Sequence, residues 1–151
     1  MDLKNIRGME QPFIGNEFKR WVLAHGIVKP SGALKNTSKN SRFLYNFQLG
    51  LSSELIVVRH LQNQGFIFLF QRVKTFVAEV DLIFLKNNRI FLIEVKALNQ
   101  EWRAFDRVSK KQEVALVKNS LFLKSVQPQF EYRCYIAWVL PQGKVSFVEI
   151  N

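Results

Sequence analysis

At 151 residues, with 48% hydrophobic content and a formal charge of +10 at pH 7, the chain suits one folded domain with a real core, and its charge points to polyanions, nucleic acid before an anionic membrane surface. A lone cysteine, Cys134, excludes a disulfide framework or a thiolate metal cluster and fits a reducing, cytoplasmic setting. The first residues lack an apolar run of signal-peptide type, and no segment approaches the roughly 18 apolar residues of a membrane span, so a soluble protein with no membrane partner is expected.

Residues 1–48 read as a basic N-terminal extension, partly helical or flexible, carrying eight Lys or Arg against three acids. A short helix is predicted from Asn16 to His25, with Phe18, Trp21 and Val22 as its apolar side and Gly26 as its stop. Pro30-Ser31-Gly32 marks a turn, and Lys35 to Arg42 a polar linker. Phe43, Tyr45 and Phe47 alternate beyond it. Basic residues interleaved with aromatics suit a nucleic-acid strand, and they equally suit a tail whose last aromatics dock on the domain.

From Leu51 to Gln64 the spacing is helical, with Leu51, Leu55, Val58 and Leu61 in one stripe. Glu54 falls inside that stripe, where a carboxylate is costly without a partner. From the residues alone it reads as a first-turn Glu favoured by the helix dipole after Ser52 or Ser53 as cap. Gly65 ends the helix, and the apolar run Phe66 to Phe70 begins a strand bounded by Arg72 and Lys74.

The most informative stretch follows. Val77 to Leu85 and Ile90 to Lys96 are apolar, β-branched and aromatic runs flanking Asn87-Asn88, an antiparallel hairpin signal because Asn tolerates the positive φ of tight turns. Alternation places Glu79, Asp81, Ile83 and Leu85 on one face and Ala78, Val80, Leu82 and Phe84 on the other. With a two-residue loop, Lys86 faces Arg89, Asp81 faces Glu94 and Glu79 faces Lys96. Two carboxylates set opposite each other hold a proton or a cation, and Mg²⁺ or Mn²⁺ would suit their oxygens. A solvated charged edge is the plainer reading of the same residues.

Beyond Lys96, Asn99 to Arg103 leave the sheet. A second helix is predicted over about 105–124, with Phe105, Val108, Ala115, Leu116 and Leu123 buried and Gln112 and Asn119 in the same arc. Lys110 and Lys111 near its start are candidate phosphate contacts. Strands at Tyr132 to Leu140 and Lys144 to Ile150, joined across Pro141-Gln142-Gly143, complete the order α-β-β-β-α-β-β. The strand-helix-strand crossover gives a parallel pair and hence a mixed sheet.

Asp81, followed on the next strand by Glu94-Val95-Lys96, resembles the signature of the PD-(D/E)XK nuclease superfamily. Glu79-Val80-Asp81-Leu82-Ile83 with Phe91-Leu92-Ile93-Glu94-Val95-Lys96-Ala97 is similar to its YraN-like branch of small bacterial proteins. Further matches are Gly50 with Glu54, Gly65-Phe66, and Val108 to Gln112. Three positions depart from the pattern: Val80 where Pro gives the superfamily its name, Ala78 for a usual Gly, and Leu98 where an Arg often follows the strand.

The resemblance implies an α/β, restriction-endonuclease-like core over residues 49–151, a central mixed sheet flanked by helices. It implies that Asp81, Glu94 and the backbone carbonyl of Val95 bind Mg²⁺ or Mn²⁺, that Lys96 positions the attacking water, and that Glu54 supports the metal. Glu79 would be a secondary acid or hold Lys96, with Gln112 near the site. Lys110, Lys111, Arg72, Lys74 and Arg103 would contact nucleic acid. The expected activity is metal-dependent hydrolysis of phosphodiester bonds in DNA, branched or single-stranded; the alternatives are an inactive nucleic-acid-binding module of the same fold and a protein-partner domain. Junction-cleaving proteins of related fold are often dimers, so a homodimer is among the expected assemblies.

Overall fold

A computed structural model describes residues 16–31, 41–98 and 110–151, the side chains of 41–51 excepted. A short helix α1 (16–24) leads into β1 (Val28–Pro30), α2 (Ser41–Asn63), β2 (Ile67–Thr75), β3 (Glu79–Lys86), β4 (Arg89–Ala97), α3 (Lys110–Val126), β5 (Glu131–Val139) and β6 (Val145–Ile150). The strands form one six-stranded sheet in chain order, antiparallel throughout except for the parallel pair β4–β5 across α3. This is the expected mixed sheet flanked by helices, consistent with a restriction-endonuclease-like core, with α1 and β1 added before it.

Helices cover both faces, so the central strands are apolar on both sides instead of alternating with polar residues. Leu116 and Leu123 of α3, with Phe18 and Val22 of α1, pack on Val73, Ile83, Leu85 and Leu92. Val57, Val58 and Leu61 of α2 pack on Leu82, Phe84, Ile93 and Ala137 across the sheet. Cys134 lies buried in the first layer and its thiol donates to the Leu116 carbonyl, which makes it a core residue.

Several sequence expectations need correction. Residues 16–31 belong to the folded body, because Phe18, Val22 and Val28 are each at most 2% exposed in the main core. Pro30 sits in an edge strand opposite Val73, where its missing N–H is harmless, and this disguised β1 as a turn. The buried arc of α2 runs through Glu54, Val57, Val58 and Leu61, while Leu55 is 46% exposed. The arc therefore follows i, i+3, i+4 and i+7 from Glu54 itself. Gly65 does close this helix, at a φ of +87° that favours glycine. Phe105, Val108 and Arg103 lie outside the described residues.

Candidate active site at the open end of the β3–β4 hairpin

The hairpin turn forms as expected. Asn87 and Asn88 have φ of 50° and 63°, and the pairing runs from Lys86–Arg89 through Leu85–Ile90 to Leu82–Ile93. Beyond that pair the expected register is not continued. Val80 packs with Ile83 and Leu85 in the layer beneath α3, whereas Leu82 and Phe84 face α2, so simple alternation fails between them. The break falls at Asp81, which lies between the β2–β3 pairs Gln71–Leu82 and Val73–Val80. The residue of β2 between the same pairs, Arg72, has a φ of +49°, uncommon for a non-glycine side chain and of the kind that collects at functional sites.

The irregularity aims polar groups at one place. The Asp81 carboxylate accepts the Val95 backbone N–H at 2.8 Å, so a side chain takes over an amide at the point where paired strands part. Glu94 shares a hydrogen bond with Asp81, and the Lys96 ammonium stands 3.4 Å from the Glu94 carboxylate. Glu94 and Lys96 are both half-buried, their side chains 18% and 22% exposed, which strengthens charge interactions relative to open solvent.

Burial first, then the negative charge of Glu94 and more weakly that of Glu54, push the Asp81 carboxyl up to about 8, while the Val95 N–H and Lys96 oppose the rise. Glu94 is raised as well, chiefly by burial and also by the charge of Glu79; Lys96 and the hydrogen bond with Asp81 pull the other way. At neutral pH the pair by itself retains a proton, the expected behaviour of two carboxylates that cannot both ionise in a confined site.

Glu54 is 3% exposed and both of its oxygens are engaged. Arg72 Nε donates to each oxygen at 3.0 Å, and Gln71 Nε2 donates to Oε2 at 2.8 Å. Glu54 thus acts on Asp81 through its charge while its lone pairs serve Arg72 and Gln71. Gln71 was not anticipated from the sequence, although two adjacent polar residues, Gln71 and Arg72, in an apolar strand were the available signal. Arg72 lies in this internal ion pair.

Glu79 does not face Lys96. The β3–β4 pairing ends at Leu82–Ile93, short of that position; on its other edge Glu79 stands opposite Lys74, and its carboxylate accepts the Ser31 hydroxyl at 2.7 Å. Lys74 is exposed on β2, Lys110 and Lys111 are exposed at the start of α3, and Gln112 is half-buried on its first turn. Leu98, which replaces a frequent Arg, is buried with Ile136 and Trp138 and packs the strand end.

Asp81 and Glu94 offer oxygen donors of the kind a hard divalent cation takes, and their retained proton is what a cation would displace. Among the described residues no three His, Cys, Asp or Glu side chains converge, so the donor set fits a two-carboxylate site. Mg²⁺ is commonly held by one or two carboxylates, with water and substrate phosphate completing its shell. Among the described residues no helix is long and apolar enough to cross a membrane.

The uncharacterised protein family UPF0102 matches residues 53–135, the stretch holding Glu54, Arg72, Asp81, Glu94 and Lys96. A UPF0102 protein of Roseobacter denitrificans is 29% identical over 106 residues, covering 68% of this chain and 82% of its own length.

Proposed function

Because the chain belongs to the uncharacterised protein family UPF0102, a group within the PD-(D/E)XK nuclease-like superfamily, we propose that it hydrolyses phosphodiester bonds in DNA with the help of Mg²⁺ or Mn²⁺. The observation that carries this reading is the half-buried Asp81–Glu94 pair with Lys96 beside it. Burial and mutual repulsion raise the proton affinity of both carboxylates, a perturbation of the kind that gathers at functional sites.

Asp81, Glu94 and the carbonyl of Val95 would hold the cation, which when bound supplies positive charge against the developing phosphoryl charge and lowers the pKa of a water. Val95 N–H fixes the Asp81 carboxylate and so sets the direction in which its free lone pairs point. Glu94 holds Lys96 in place, and the Lys96 ammonium orients the attacking water or meets negative charge on phosphate. Arg72 and Gln71 hold the Glu54 carboxylate by hydrogen bonds behind Asp81. A net charge of +10 attracts the polyanionic substrate.

The test is incubation of purified protein with end-labelled single-stranded, duplex and branched DNA, and with RNA of the same sequence, in Mg²⁺, Mn²⁺ or EDTA. Cleavage of DNA that requires the metal is the expected result. Retention of DNA without cleavage in any metal would instead support a binding module of the same fold, a reading favoured by the engagement of both Glu54 oxygens.

A further inference from the structure

The turn between β2 and β3 presents two apolar residues to solvent. Phe76 is 93% exposed and Val77 is 37% exposed. The root of this turn is fixed by a set of hydrogen bonds. The Thr75 N–H donates to the Ala78 carbonyl at 3.0 Å, and the Thr75 hydroxyl accepts from Val77 N and Ala78 N at 3.0 and 3.3 Å. That hydroxyl donates to Asn119 Oδ1, and Asn119 Nδ2 donates to the Ala78 carbonyl at 3.4 Å. Asn119 is 0% exposed on α3, so a buried amide in an apolar helix arc is spent on fixing the root of this turn.

Two further features give the tip its chemistry. Lys29 and Lys74 are directly opposite on β1 and β2, both exposed, one and two residues from the end of the strand pairing at Val28–Thr75 and from the tip. Lys74 also stands opposite Glu79 on β3, so two lysines against one carboxylate leave this edge net positive, the sign that suits a polyanion. The chain then runs from the tip through Ala78 straight into Glu79 and Asp81, so the tip is tied by five residues of chain to the acidic pair.

From these relations we infer that Phe76, backed by Val77, is a rigid wedge that stacks on an unpaired base of nucleic acid, with Lys29 and Lys74 holding the adjacent phosphates, so that strands with unstacked bases are preferred over intact duplex. This deepens the proposed function and rests on its nucleic-acid reading. Every base has a π-face, so the wedge reads unpaired structure without reading sequence. The Phe76 ring centroid lies 6.3 Å from that of Phe122 on α3, and the ring remains open to solvent.

The experiment is metal-free, in EDTA, so that binding is measured apart from cleavage. Forked, single-stranded and intact duplex DNA carrying 2-aminopurine at the junction are titrated with wild type, Phe76→Ala and Phe76→Trp. Wild type is expected to prefer forked over duplex DNA, with Phe76→Ala losing roughly tenfold of that preference, the effect of one base–aromatic stack. Phe76→Trp is expected to keep the preference and quench the 2-aminopurine. Unfolding temperatures are expected to be unchanged, since the ring is exposed. Equal forked and duplex affinities in wild type, or a preference untouched in Phe76→Ala, would overturn the wedge while leaving nucleic-acid binding in place. Loss of self-association in Phe76→Ala with DNA affinity unchanged would overturn it in favour of a contact between copies. Failure of wild type to bind any DNA would overturn both the wedge and the proposed function.

Discussion

The carboxylate of Asp81 accepts the backbone N–H of Val95 at 2.8 Å, immediately past the last cross-strand pair, Leu82 with Ile93. A backbone donor that would otherwise need a strand partner is satisfied by a side chain, and the same bond brings Asp81 against Glu94. The two strands can therefore part without leaving a buried amide unpaired.

Stability should record the strain in that pair. The folded Asp81 carboxyl titrates at about 8 against an ordinary 3.8, so between those values the native state binds a proton that the unfolded state has lost. Stability of the metal-free protein accordingly falls as pH rises from about 4 to 8, and the penalty is complete above 8. Asp81→Asn keeps an acceptor for Val95 N–H and removes the penalty. It is expected to be about 2 kcal/mol more stable than wild type at pH 8 in EDTA, with little difference at pH 4, measured by urea unfolding. A variant less stable than wild type at pH 8 would show that the pair contributes to the fold instead of opposing it.

A divalent cation should relieve the same repulsion. At 100 times its dissociation constant a ligand specific for the native state contributes about 2.7 kcal/mol. Mn²⁺ at pH 8 is expected to raise the unfolding temperature of wild type by several degrees, and to leave Asp81→Asn and Glu94→Gln nearly unmoved. Equal shifts in all three proteins would place the cation elsewhere.

The ion pair behind the site is a support with its own signature. Arg72→Met strands a Glu54 carboxylate that is 3% exposed, with the Gln71 amide still donating to it. Breaking such a pair costs about 3 kcal/mol. Glu54→Gln with Arg72→Met is expected to recover most of that loss, as a double-mutant cycle in chemical denaturation would reveal. Destabilisation that is simply additive would mean the two side chains act independently.

Much of this was legible from residues alone. The Asn-Asn turn and the apolar runs beside it specify the hairpin and its register near the turn, because a two-residue loop leaves only one way to pair. Asp81, Glu94 and Lys96 could be brought together on that basis. What could not be read was the break at Asp81, which lies beside Arg72, a residue of positive φ on a different strand. Glu54 was recognisable as a buried acid, but its donors Gln71 and Arg72 come from a strand whose polar end looked like a boundary. β1 escaped notice because it is three residues long, contains a proline and owes its existence to pairing with β2. Asn119 was marked as a polar residue in an apolar arc, and only the folded contact with Thr75 and Ala78 says what it is for.

The most direct measurement is the single-turnover rate of DNA cleavage at saturating Mg²⁺ for wild type, Asp81→Asn and Lys96→Gln, each first confirmed as folded by its unfolding transition. Wild type is expected to cleave, Lys96→Gln to fall by about 10²–10⁴ while keeping the cation-induced rise in unfolding temperature, and Asp81→Asn to lose both cleavage and that rise. Cleavage by Lys96→Gln or Asp81→Asn at the wild-type rate would contradict the assignment of this hairpin as the active site.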